Sequence, residues 1–244
     1  MHWLVGNARL TADWFVTRMG FTRIASRGLE TGSRAIASHV VRQGRVTFVF
    51  SSPYGPGVTL LGSDAIAHLG THGDGVKDIA FTVTDARAVY EYAIERGARS
   101  VAEPVEVDGV ITATIATYGD TVHTFVQRTP AFTGVFLPSF VAVAPARDAV
   151  SDAVAPIGLD FIDHCVGNMP DQGMEPTVAW YEKTLAFHRF WSVDDKQMST
   201  DHSALRSIVI ADHVSGSQWG TPPMRSLFTR PLPSSSSRSP IFRV

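Results

Sequence analysis

One histidine in this chain sits where metal chemistry can be read from its neighbours. Leu159 to Asn168 reads Leu-Asp-Phe-Ile-Asp-His-Cys-Val-Gly-Asn, an alternating strand closed by a Gly-Asn turn. His164 is its only imidazole, a donor suited to a borderline or transition-metal ion. Cys165 follows it but falls on the opposite sheet face by the period of two along a strand, so it is read as a structural thiol. His68 and His72 stand four apart, a spacing that can put two ligands on one helical face. Gly70 and Gly73 place the end of that helix before His72, and a metal role for the pair is disfavoured. Ser207, taken alone, is a strand serine, and no Ser/His/Asp arrangement can be argued from spacing. Gly55-Pro-Gly57 lacks the lysine and helix start of a phosphate-cradling loop.

The strand bearing His164 belongs to a larger unit. After a short polar insert come a helix read over Thr177 to Leu185, with Trp180 and Tyr181 on its apolar face, and a strand over Phe187 to Val193. The same unit opens the chain. Trp3-Leu-Val-Gly-Asn7 lies over His164-Cys-Val-Gly-Asn168 at an offset of 161, and Trp14-Phe15 lies over Trp180-Tyr181 at an offset of 166. An internal repeat sets the architecture, so a duplicated module is expected. Trp3 stands where the later copy has His164, and only the later copy keeps the metal-capable residue.

In chain order, Met1 to Asn7 reads as a strand that begins abruptly, as though residues preceded it, and Ala8 to Met19 reads as a helix stopped by Gly20. Strands follow near Phe21 to Ser26, Ala35 to Val41 and Val46 to Ser51, then a short helix over Asp64 to Leu69. A strand over Val76 to Thr82, a helix capped by Asp85, and strands near Arg99 to Val107, Val110 to Thr117 and Val122 to Gln127 complete a second β-α-β-β-β unit. The expected class is α+β, built from paired β-α-β-β-β units curled around a shared cup. Residues 1–135 form the complete N-terminal module, 136–156 a linker, 157–212 the first part of a C-terminal module, and 213–244 a low-complexity tail. A fourth strand is missing from the later unit, which leaves an unpaired edge around Leu205 to Ala211.

Composition limits the rest. With 21 basic and 23 acidic residues, a net charge of −2 and no Lys/Arg-rich run, a nucleic-acid partner is disfavoured. Apolar runs reach only strand length, no secretory leader is legible, and the lone Cys165 cannot form an internal disulfide. The expectation is a cytoplasmic protein with no membrane partner, and a homo-oligomer is admitted.

Several longer motifs carry a family resemblance. They are Arg27-Gly-Leu-Glu-Thr-Gly-Ser33, His72-Gly-Asp-Gly-Val-Lys-Asp-Ile-Ala-Phe81, Tyr118-Gly-Asp-Thr121, Ile162-Asp-His-Cys-Val-Gly-Asn168, Phe187-His-Arg-Phe-Trp-Ser-Val-Asp-Asp195 and Ser203-Ala-Leu-Arg-Ser-Ile-Val209. In this order and spacing they resemble the 4-hydroxyphenylpyruvate dioxygenase family of the vicinal-oxygen-chelate, or glyoxalase-like, fold. The resemblance implies Fe(II) as cofactor, with 4-hydroxyphenylpyruvate and O2 as substrates of an oxidative decarboxylation and ring hydroxylation that gives homogentisate in tyrosine and phenylalanine breakdown. It implies that His164 is the first iron ligand and that Ser207 faces the substrate. It implies too that the first module is the non-catalytic one, with Asp78 where the second histidine's motif has its counterpart. The second histidine and the carboxylate of the iron site have no matching position in this chain, so no catalytic set is complete in it. Two other readings stand beside this one: a non-catalytic glyoxalase-fold binding or partner module, and a hydroxymandelate synthase-like enzyme.

Overall fold

The computed structural model describes residues 1–144, 150, 153, 157–170, 172–193, 207–212 and 241–243, with backbone alone at 191–193 and 241–243. Its strands are β1 (His2–Leu4), β2 (Thr22–Arg27), β3 (Ile36–Gln43), β4 (Val46–Pro53), β5 (Thr59–Leu60), β6 (Ser63–Asp64), β7 (Gly75–Asp78), β8 (Phe81–Thr82), β9 (Ser100–Val107), β10 (Val110–Ala116), β11 (Val122–Arg128), β12 (Val141–Ala142), β13 (His164–Val166), β14 (His188–Val193), β15 (Ser207–Ala211) and β16 (Ile241–Arg243). The helices are α1 (Ala8–Met19), α2 (Ala65–His72), α3 (Ala86–Glu95) and α4 (Met174–Leu185).

Local chemistry sets the helix limits. Asn7, Asp64 and Asp85 each accept a hydrogen bond from a backbone N–H three residues on, at 3.0, 2.8 and 3.0 Å, and so cap α1, α2 and α3. Gly20 ends α1 in the left-handed region at φ 70°, where a side chain would be strained. α4 begins three residues before the expected Thr177. Pro176 lies in its first turn, where a missing N–H costs no hydrogen bond.

One long sheet runs in the order β12-β2-β3-β4-β1-β7-β11-β10-β9. In its first half β1 pairs parallel with β4, and in its second half β7 pairs parallel with β11. Both halves therefore carry their strands in the unit order second-third-fourth-first, and the antiparallel pairing of β1 with β7 joins them. This is the expected pair of β-α-β-β-β units, closed through their first strands.

The two faces of the first half hold different chemistry. Trp3, Phe48 and Phe50 project from one face against Phe15 of α1 and Phe21, with ring centroids 4.9 to 6.3 Å apart. The other face carries Ala25, Val40 and Val49, covered by Phe136 and Phe140. The Arg27 guanidinium lies 5.0 Å from the Phe140 ring. The stretch read as the start of a linker thus packs on the sheet, and β12 extends the sheet by pairing with β2. Further on, Leu159 donates its N–H to Gln43 Oε1 at 2.7 Å, and Arg45 meets Asp160 at 2.9 Å.

A second sheet, β13-β16-β15-β14, corrects two expectations. β13 pairs parallel with β16, which pairs antiparallel with β15. This third unit has the same second-third-fourth-first order, and Ile241–Arg243 supplies its fourth strand from within the stretch read as a tail. β15 is flanked on both sides over Val209 to Ala211, so the unpaired edge expected around Leu205 to Ala211 is absent over those three residues. Pairing context decides this: a lane open between β13 and β15 satisfies the backbone of three residues, too short a run to show a strand period of its own. Within the same compact unit, α4 packs on β15 and α3, burying Val178, Tyr181 and Leu185. Among the described residues no helix is long and apolar enough to cross a membrane.

Candidate functional site

His164 lies on β13, with its side chain 42% exposed, and its Nδ1 is 2.8 Å from Asp163 Oδ2. A carboxylate only accepts, so Nδ1 donates to it, and Nε2 is the ring nitrogen turned away from this contact. A carboxylate behind one ring nitrogen is the support that a metal-binding histidine commonly has. The residues thus fit one ligand of a metal centre. Cys165 is half-buried between the exposed His164 and Val166, as the alternation requires, and burial pushes its thiol pKa up.

Ser207 is buried at the start of β15. In register, His164 aligns with Ile241 and Ile241 with Ala211, so His164, Ala211, Val209 and Ser207 share one sheet face. Ser207 lies two strands across and four residues along from that row. Strand geometry makes this roughly 10 Å across and 13 Å along. The structure places the two expected site residues on the same face and does not bring them into contact.

The first module carries polar groups that its composition did not reveal. His2 Nε2 is 2.7 Å from Ser51 Oγ, which is 2.7 Å from Ser38 Oγ, and the Arg27 guanidinium reaches Ser38 at 3.4 Å. His2 sits beside Trp3, the expected counterpart of His164, and the period of two puts it on the other face of β1. Burial, then the Met1 ammonium and Arg27, push its pKa down to about 3. Asp78 is buried on β7, where its Oδ1 accepts the Thr124 N–H at 3.0 Å. Burial holds its pKa up at about 6. Alternation along a strand could have flagged His2, but only the fold shows how deeply Asp78 is enclosed.

A third grouping overturns an expectation. α2 continues through Gly70 to His72, and Gly73 caps it with its N–H on Leu69 O at 2.8 Å. His68 and His72 therefore share a helical face, with ring centroids 4.5 Å apart. Asp120, from the Tyr118-Gly-Asp120 turn between β10 and β11, places Oδ2 2.7 Å from His72 Nε2. One donor atom from each of the three lies within 4.8 Å of the others. Buried Lys77 donates to the Asp120 carbonyl and holds that turn.

Comparison with known proteins agrees with this architecture. Residues 6–137 match the family model described as hydroxyphenylpyruvate dioxygenase, N-terminal. The chain is 47% identical over 224 residues to a 4-hydroxyphenylpyruvate dioxygenase of Aspergillus fumigatus, covering 86% of this chain and 55% of that protein. It is 48% identical over 213 residues to one of Dictyostelium discoideum, covering 85% and 56%. Among solved structures, a mutant of 4-hydroxymandelate synthase from Streptomyces coelicolor superposes with a TM-score of 0.70 at 21% identity, over 86% of this chain and 57% of that one. That likeness shows the fold. The chain spans about half the length of the curated relatives it matches. With a family model covering more than half of its residues, and with the unit order and motifs described above, the chain belongs to the 4-hydroxyphenylpyruvate dioxygenase family.

Proposed function

We propose that this chain serves the reaction of its family, the Fe(II)- and O2-dependent conversion of 4-hydroxyphenylpyruvate to homogentisate, with His164 as an iron ligand and Ser207 against the substrate. The observation that carries the reading is the Asp163-backed imidazole, whose Nε2 is free, inside a stretch closely similar to dioxygenases by name. A bound Fe(II) with open positions would supply chelation of the keto acid and activation of dioxygen. The chain's own part is more limited. Asp163 orders the ring of His164, and β13 and β15 present His164 and Ser207 on one sheet face. The resemblance places the second histidine and the carboxylate in a later unit, so tight iron binding and turnover draw on residues beyond those matched here. The lone Cys165, its thiol raised by burial, supports a reducing compartment such as the cytoplasm.

The test is an anaerobic Fe(II) titration of the full chain with 4-hydroxyphenylpyruvate present, in a His72→Ala background that disables the separate histidine pair. His164→Ala is expected to weaken iron uptake by at least about tenfold, since removing only the partner of a ligand already costs that much. Equal uptake by both proteins contradicts the assignment. Absence of iron uptake by both proteins, with the keto acid present, favours the non-catalytic partner module.

A further inference from the structure

We propose that His68, His72 and Asp120 form a binding site for a divalent transition-metal ion of borderline softness, of the zinc, nickel or copper(II) class, distinct from the His164 motif. The donors come from two anchored elements. α2 presents both imidazoles one turn apart and is fixed at its ends by the Asp64 cap and by Gly73. The β10–β11 turn presents Asp120, and is held by Lys77 on the Asp120 carbonyl and by Thr117 Oγ1 on Thr121 O at 3.1 Å.

The dimensions suit a metal. Ligand bonds of about 2.0–2.2 Å in tetrahedral geometry put donor atoms about 3.4 Å apart. The His72 Nε2 to Asp120 Oδ2 pair must open from 2.7 Å, with the metal taking the place of the hydrogen between them, and the wider pairs close from at most 4.8 Å. His72 and Asp120 have the freedom to do this, with side chains 41% and 59% exposed. His68 is the buried member, fixed on the helix face one turn before His72.

Charge selects the class of ion. The single carboxylate of Asp120 is offset by the neighbouring Lys77 ammonium, so a hard cation that depends on carboxylate charge gains little. Two imidazoles are the donors that remain, and they suit zinc, nickel and copper(II). A bound ion would tie α2 to the β10–β11 turn and stabilise the first module by mass action.

The test is titration calorimetry of the full chain carrying His164→Ala with Zn2+, paired with thermal melts. One zinc per chain and a raised melting temperature are expected. His72→Ala and Asp120→Asn, both at exposed positions and so compatible with folding, should each weaken binding by at least about tenfold. Mg2+ at the same concentration should not raise the melting temperature. Zinc binding left unchanged by either substitution, an equal response to Mg2+, or no zinc binding by the folded protein overturns the proposal.

Discussion

Replacing Phe50 with alanine is expected to destabilise the protein by about 3–5 kcal/mol, the usual range for removing a buried phenylalanine. Phe50 is fully buried on β4. It stacks on Phe15 at 4.9 Å and contacts Trp3 at 6.3 Å and Phe48 at 6.2 Å, so one ring links helix α1 to strands β1 and β4. Truncation leaves a void between elements whose backbones are pinned by sheet pairing, and that void closes only in part. The loss is large against a typical total stability of about 5–15 kcal/mol. Urea unfolding should show a lower midpoint with an unchanged slope, and Phe50→Leu should lie between the two. A change below about 1 kcal/mol would mean that this aromatic layer does not hold the helix to the sheet.

Acid is expected to destabilise the first module through the buried His123 and the half-buried His2, with Asp78 acting in the opposite direction. His123 is fully buried, donates Nδ1–H to Ile79 O at 2.8 Å, and lies 4.9 Å from the Phe81 ring. Burial pushes its pKa down to about 4 against the Ile79 hydrogen bond, and that of His2 is pushed down to about 3. In the unfolded chain both bind a proton near their ordinary value of 6.5. Their contribution is therefore complete above that value and is lost as pH falls through the folded pKa of each. For His123 alone the loss amounts to about 3 kcal/mol, and His2 adds in the same direction.

Asp78 is held protonated up to about pH 6, against an ordinary carboxyl value of 3.8. Its burial costs nothing extra at low pH and becomes unfavourable as pH rises from 3.8 to 6. Asp78→Asn keeps an oxygen for the Thr124 N–H and removes the buried charge. At pH 7 the variant is expected to be more stable by about 2–3 kcal/mol, and below pH 4 it should match the parent. Urea midpoints measured from pH 4 to 8 decide this. Destabilisation at pH 7, or the same gain at both ends of the range, contradicts the assignment of Asp78 as a carboxyl whose burial outweighs its hydrogen bond to Thr124.

How much of this could be read in advance depended on how far each signal reached along the chain. The duplicated β-α-β-β-β units were legible because the Val-Gly-Asn turn and the aromatic helix face recur at near-constant offset, and each feature is local. Ile241–Arg243 was not legible as a fourth strand. Three residues after a Ser/Pro-rich run show no alternation, and only the lane between β13 and β15 gives them a partner. Gly70 and Gly73 read as stop signals that leave His72 outside its helix, yet α2 runs on to His72. An internal glycine costs only about 1 kcal/mol, which an Asp64 cap and a Gly73 terminus can offset. Asp120 is 48 residues from His72, and the β10–β11 hairpin alone brings them together. On β13 the strand period put His164 and Cys165 on opposite faces, as their alternating exposure shows. The Asp163 contact that orders the ring depends on side-chain direction, which sequence does not specify.

Asp163 orders the His164 ring through Nδ1, and under the proposed function this leaves Nε2 to take iron. Long-range proton–nitrogen correlation spectra of the full chain, with the ring signals assigned by His164→Ala, read this directly. A protonated Nδ1 and a bare Nε2 are expected at neutral pH, with selective paramagnetic broadening of the His164 ring when Fe(II) and 4-hydroxyphenylpyruvate are added without oxygen. A ring protonated at Nε2, or His164 signals that stay sharp while iron binds, would contradict it.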